Sequence, residues 1–225
     1  MADYKLVDAE KLDADLKNVA DTIRKECGET HKLNFPEEFC INIEGISKNI
    51  QDMYTRRVLD KLYAPLSYVG AYAYAKMNQL QSVEFTEDAT YIGECAFMGC
   101  ERLLLERLPD SIYHIGNQAF KDCGLITLTK IPDKTTEIYR WAFSGCSKIQ
   151  TMLMPEVTKI GADAFNGCSR LTEVTIKRKC EIIENTAFYS CNNLTTINVA
   201  WSEGEVANAP WGAVNATINY NYTGE

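Results

Sequence analysis

The residues able to do chemistry in this sequence are few in kind. His31 and His114 are its only two histidines, and neither lies near a serine or cysteine motif of nucleophilic type. The 31 Asp and Glu residues are scattered on the polar side of strands, where a solvated face is the default. A carboxylate pair for glycoside hydrolysis would have to assemble from separate segments, an alternative that a linear reading leaves open. Nine cysteines complete the inventory. Thiols can form disulfides or hold zinc, but there is no Cys-x-x-Cys pair, and Cys95 with Cys100 is a weak metal spacing. The odd total favours reduced thiols. The expectation is a protein without catalytic residues, metal or cofactor.

The cysteines instead point to the elements that carry them. Cys100, Cys123, Cys146, Cys168 and Cys191 each follow an aromatic by three residues, at Phe97, Phe120, Phe143, Phe165 and Phe188. Tyr74 and Met77 repeat the spacing earlier. Ala precedes every one of these aromatics, and Val69, Ile92, Ile115, Ile138, Ile160 or Ile183 lies four residues before that Ala. Leu80, Leu103, Ile126, Ile149, Leu171 or Leu194 lies three residues after the Cys or Met. Six phased copies of a unit of about 23 residues read as a solenoid, in which like positions stack into columns down one core. A cysteine held at one column position acts as a small buried hydrophobe.

Alternation of apolar and polar residues predicts strands at Leu80 to Phe85, Leu171 to Ile176 and Leu194 to Val199. Pro109, Pro132 and Pro155 would end pairing in their coils. Two coils break the pattern: Glu106 and Thr129 stand where others have Val83, Met152, Val174 or Ile197, with Leu105 and Leu128 one place earlier. A shift of one residue exchanges the faces of a strand. A local bulge with both leucines turned inward is expected, and two exposed leucines are the alternative.

Outside the repeats the composition changes. Leu12, Leu16, Val19 and Ile23 form a helical stripe that Gly28 would stop. Pro36 suits the first turn of a second helix carrying Phe39, Ile43 and Ile46, and Ile50, Met53, Leu59 and Leu62 extend the helical spacing. Such a segment would either cap the first coil or attach the chain to something else. At the other end Trp211 falls 23 residues after Phe188, with Val206 and Pro210 at column positions, as in a truncated seventh coil. The expected organisation is α+β: a small helical N-terminal segment at 1–62, a solenoid of six coils with short stacked strands at 63–200, and a capping segment at 201–225. The sequons at Asn193, Asn215 and Asn221 are at chance level. A net charge of −8 argues against nucleic acid or an anionic membrane as partner, and no apolar run approaches a membrane span. The first residues lack the apolar stretch of a secretion signal, so folding in a cytoplasm is expected.

The pattern Ile160-Gly161-x-x-Ala164-Phe165-x-x-Cys168-x-x-Leu171 resembles the BspA-type leucine-rich repeat of bacterial surface antigens, over roughly residues 66 to 200. Tyr74 and Met77 in the first coil, and Tyr139 in place of Gly in the fourth, depart from it. Val19 to Arg24, Gly28, Leu33, Phe35-Pro36, Phe39, Ile43 and Ile46 resemble the first segment of tail-associated proteins from phages and prophages of Gram-positive gut bacteria. Trp201 to Gly212 is similar to their closing segment. This resemblance implies a virion component assembled in the bacterial cytoplasm, of the tail tip or a fibre. Its first segment would join other virion proteins, with a homo-oligomer expected, and its repeats would bind a glycan or protein of the host surface. A bacterial surface adhesin of the same repeat type is the alternative, and a depolymerase of host glycans a further one.

Recognition by a solenoid uses equivalent positions of successive coils. The outward strand positions are Ser82 and Glu84, then Arg107, Lys130, Thr151, Leu153, Glu173, Thr175, Thr196 and Asn198. Tyr91, Tyr113 and Tyr139, each near the start of a coil, form a second candidate column suited to sugar or protein surfaces.

Overall fold

The computed structural model describes residues 66–224. Each coil begins with a series of tight turns. The amide of Ala96 reaches the carbonyl of Gly93, that of Cys100 reaches Phe97, and that of Leu103 reaches Cys100. The same three bonds recur from Ala119, Cys123 and Ile126. Intervening amides point along the stack and bond the next coil. Cys95 donates to Asn117, Phe97 to Ala119 and Gly99 to Lys121, each at 2.8 Å. This alternation goes with left-handed backbone at two positions in each of the first five described coils. The residue before Ala (Tyr72, Cys95, Gln118, Trp141, Asp163) has φ between 50 and 58°, and Gly99, Gly145 and Gly167 hold the second position at 73 to 76°. Glycine takes that conformation without strain. At Lys76 and Asp122 a bond to the next coil holds it.

The columns are interior, as the spacing predicts. Phe97, Phe120, Phe143, Phe165 and Phe188 are fully buried, with neighbouring ring centroids 5.4 to 5.6 Å apart and nearly parallel planes. Each contributes about 1.5–3 kcal/mol by burial alone. The cysteine column is free of disulfides among the described residues, and it does more than fill space. The thiols of Cys100, Cys123, Cys146, Cys168 and Cys191 donate to the carbonyls of Tyr74, Phe97, Phe120, Phe143 and Phe165 in the preceding coil, at 3.0 to 3.3 Å. Met77, at the same position in the first described coil, is a thioether and has no proton to donate.

Among the described residues the regular elements are ten short strands, and all their pairing is parallel. The two-residue strands β1 (Tyr68–Val69), β2 (Tyr91–Ile92) and β3 (His114–Ile115) form one ladder. Next come β4 (Glu137–Ile138), β5 (Thr151–Met154), β6 (Lys159–Ile160), β7 (Glu173–Ile176), β8 (Ile182–Ile183), β9 (Thr196–Val199) and β10 (Thr217–Asn219). The order β4-β6-β8 makes a second short ladder, and β10-β9-β7-β5 makes the main sheet. The described part is therefore a β-solenoid of stacked parallel strands. The helices expected in 1–62 lie outside the described residues, and with them the α part of the expected α+β class.

Several expected boundaries move. Leu171 and Leu194 close turns onto Cys168 and Cys191, so β7 and β9 begin two residues later. Leu80 to Phe85 is not a strand; it makes a parallel bridge from Phe85 to Leu66. Leu105 and Leu128 turn inward, leaving Glu106 and Thr129 exposed, as the shifted pattern anticipates. The shift interrupts the main sheet, which continues past β5 only as the bridge between Lys130 and Leu153. The two-residue ladders were not anticipated.

The break between β3 and β4 has a steric origin. A Cβ at Gly93, Gly116 or Gly161 would lie 2.5 to 2.8 Å from backbone of the preceding coil. Those glycines let the coils close to 2.8 Å rungs, Gly93 to Val69, Gly116 to Ile92 and Gly161 to Ile138. Tyr139 brings a Cβ to this position, and the corresponding rung to Ile115 is missing. Glu184 also has a Cβ yet keeps a 3.0 Å bond to Ile160. There the turn changes course: Thr186 is not left-handed, and its hydroxyl replaces a carbonyl in accepting from Asp163.

Candidate functional site

The main sheet aligns the outward positions into two rows. Parallel register places Thr151, Glu173, Thr196 and Thr217 side by side, and Leu153, Thr175, Asn198 and Asn219 in the next row. Lys130 joins the second row through its bridge to Leu153. Five of the candidate residues, Lys130, Thr151, Glu173, Thr175 and Asn198, thus share one face. Glu84 and Arg107 lie apart, on a shallow groove of about 330 Å³ between the first two coils, where no strands pair.

Their availability differs. Asn198 is 3 % exposed, and its amide donates to the carboxylate of Glu173 at 2.7 Å and to Thr175 Oγ1 at 3.2 Å. Asn219 donates to Asn198 Oδ1 at 2.8 Å, extending the network to the last strand. Arg107 pairs with Glu87, and Lys130 with Asp110 at 3.1 Å and Asp133 at 3.0 Å. The bonds to Asp133 and then Asp110 raise the pKa of Lys130 above its ordinary value. Such pairs hold neighbouring coils in register; exposed as they are, each is worth at most about 1 kcal/mol. Thr151 remains exposed.

The tyrosine column takes a different form from the expected one. Tyr91 occupies the outward position of its two-residue strand, whose register partners are Tyr68 and His114. These three stack face to face, Tyr68 on Tyr91 at 4.9 Å and Tyr91 on His114 at 4.5 Å, with planes within 8°. Tyr139 tilts against His114 at 5.0 Å, and Tyr113 meets Tyr91 edge-on at 6.5 Å. So Tyr91, Tyr113 and Tyr139 gather in one patch without being equivalent positions, and Tyr68 and His114 complete it. Their shared signal in the sequence is the place directly before Val69, Ile92 and Ile115. Because the stacked rings cover one another's faces, the ladder presents mainly edges; Tyr113 is the most open, at 57 %. Burial lowers the pKa of His114, with Glu137 opposing, and burial followed by the neighbouring tyrosines raises that of Tyr91.

The repeat geometry has counterparts. A model of the BspA type leucine rich repeat region, in six copies, matches residues 67–195, more than half of the chain. The chain belongs to the BspA-type leucine-rich repeat family. A leucine rich repeat protein of T. pallidum is similar to this BspA-type solenoid at 27% identity and a TM-score of 0.55, over 61% of this chain and 67% of that one. A leucine rich cell surface protein of Faecalibacterium prausnitzii shows 21% identity and a TM-score of 0.35, over 71% of this chain and 59% of that one. A leucine-rich repeat protein of Bacteroides ovatus shows 15% and 0.33, over 71% and 60%. No curated protein matches.

Proposed function

We propose that this BspA-type protein is a non-catalytic recognition component whose solenoid binds a bacterial surface, carried on a phage virion at the tail tip or a fibre. The observation that carries the recognition reading is the parallel register of the main sheet. It sets equivalent side chains of successive coils in rows on one face, the arrangement repeat proteins use for extended binding surfaces. The virion reading is supported by the resemblance of residues 19–46 and 201–212 to phage tail-associated proteins. Residues 1 to about 60 would then join other virion proteins or a homo-oligomer. The ligand would be a surface glycan or protein, held weakly at each site and firmly through many copies. Family membership itself favours a second reading, a surface adhesin of the bacterium.

A truncation at residue 30 separates the roles. Light scattering should show a monodisperse fragment of lower particle mass, and binding to host cells should persist. Loss of cell binding at unchanged oligomer mass would place recognition in the first segment and make the solenoid a spacer. Mass spectrometry of purified virions distinguishes the two carriers: the chain in the particle supports the virion reading, and its recovery only from cell envelopes supports the adhesin.

A further inference from the structure

The chain after β10 does not continue outward. The amide of Asn221 bonds Trp201 O at 3.0 Å, and that of Tyr222 bonds Val199 O at 2.9 Å. Trp201 is itself fixed edge-on against the buried Trp211 at 6.3 Å. The turn brings Tyr222 and Gly224 over the outward face of β5 and β7. With Thr151, Glu173, Thr175 and Lys177 they border a groove of about 320 Å³. The closing segment therefore supplies one wall of a site whose floor is the sheet, a role beyond covering the last coil.

The groove's chemistry is specific. Its cation is uncommitted: Arg107, Lys130, Lys159, Arg178 and Lys179 each hold a carboxylate from a neighbouring coil, whereas Lys177 holds none among the described residues. Glu173 and the Thr175 oxygen already accept from Asn198, which leaves the threonine hydroxyl proton to donate. Thr151 is exposed, and Tyr222 is half-buried beside it. One ammonium, the hydroxyls of Thr129, Thr151 and Thr175 and an aromatic ring match an anionic sugar, and the Glu173 carboxylate lies four residues before Lys177, about 13 Å along the backbone at the rise of a strand. Its carboxylate would meet Lys177 in a charge-assisted bond, its hydroxyls the threonines, and its C–H face the ring. The volume is at the small end of ligand pockets and suits a single sugar unit. An extended acidic peptide fits less well, because β5 and β7 are bonded to each other and offer no open edge for strand addition.

We propose that this groove is a saccharide subsite for a uronic-acid unit of a surface polysaccharide. It rests on the recognition reading above and names its ligand class. The test uses the full chain, calorimetric and NMR titrations with a galacturonate trisaccharide, and the neutral galactose trisaccharide and triglutamate for comparison. The uronate should bind at least about tenfold more tightly than the neutral sugar, and the advantage should shrink with salt. Lys177→Gln should remove that advantage, and Tyr222→Ala should weaken both sugars about tenfold, with thermal midpoints unchanged. Equal binding of the two sugars, an unaffected Lys177→Gln, or triglutamate binding as well as the uronate would overturn the proposal. Cell attachment retained by Lys177→Gln, together with absent uronate binding, would remove this site and leave the recognition reading standing. Uronate binding by a protein that attaches to no cells would do the reverse.

Discussion

A methyl group added at Gly116 tests how the coils are held together. It would lie 2.6 Å from Glu94 N, 2.8 Å from Gly93 C and 3.0 Å from Glu94 Cα, all of them backbone. Ordinary contact begins near about 3.5 Å, so the coil must retreat by roughly 0.5–0.9 Å. The 2.8 Å bond from Gly116 to Ile92 then lengthens past the usual limit. Overpacking costs about 1–3 kcal/mol and the lost bond about 0.5–1.5, while the stiffer unfolded chain returns about 0.4–1. The net loss for Gly116→Ala centres on about 2 kcal/mol, or roughly 1 M in urea midpoint followed by far-UV circular dichroism. Gly124→Ala is the control: the added methyl meets only Ser147 Oγ at 3.7 Å, and the change should stay within about 0.5 kcal/mol. Equal effects at the two positions would refute the close-approach argument, including the account of the break at Tyr139.

Phe143→Ala should cost about 3–5 kcal/mol in the same assay, because it opens a cavity between two rings of the column; a loss below about 1 kcal/mol would contradict an interior position. Thiol titration should find nine groups in denaturant without reductant, and in the native protein none of the seven buried cysteines among the described residues. Fewer than nine would reveal disulfides. Burial pushes the thiols of Cys100 and Cys180 from 9.0 up to about 12, and raises Cys123, Cys146 and Cys168 as well. The unfolded chain therefore loses these protons first. Stability is intact below about pH 9 and falls as pH climbs toward the folded values, by on the order of 1.4 kcal/mol per thiol per pH unit. Urea midpoints at pH 8 and pH 10 measure this, and an unchanged midpoint would exclude the effect.

What the sequence discloses about this molecule follows its periodicity. Isoleucine, alanine, phenylalanine and cysteine recur because each faces the same neighbour in the next coil, so repetition in the chain is repetition in the core. Leu105 and Leu128 were readable for the same reason, as a displacement of a regular pattern. Outward residues have no such constraint. Tyr68, Tyr91 and His114 differ in type, and only strand register shows that they stack. The commitment of Asn198 to Glu173, and of Lys130 to two aspartates, likewise depends on contacts across coils that a linear pattern does not contain. Tyr222 was invisible as a wall of the groove because its position comes from a chain reversal after the last repeat. A column of cysteines reads equally well as simple filling, so the thiol-to-carbonyl bonds leave no separate signal in the sequence.

The sameness of the junctions bears on how such a gene can change. The turns of successive coils are joined by recurring bonds, Phe97 to Ala119, Phe120 to Ala142, Phe143 to Ala164 and Phe165 to Ala187, so adding or losing one whole unit by unequal recombination remakes turn contacts that the stack already contains. The ends would move apart or together by about 4.8 Å, one strand spacing. Copy number is thus a heritable dial on reach, and the outward residues of each copy can diverge independently of it. Two kinds of unit are exceptions: one like that of Tyr139 brings a break in the short ladder, and one with the displaced leucine of Leu105 or Leu128 brings a break in the main sheet.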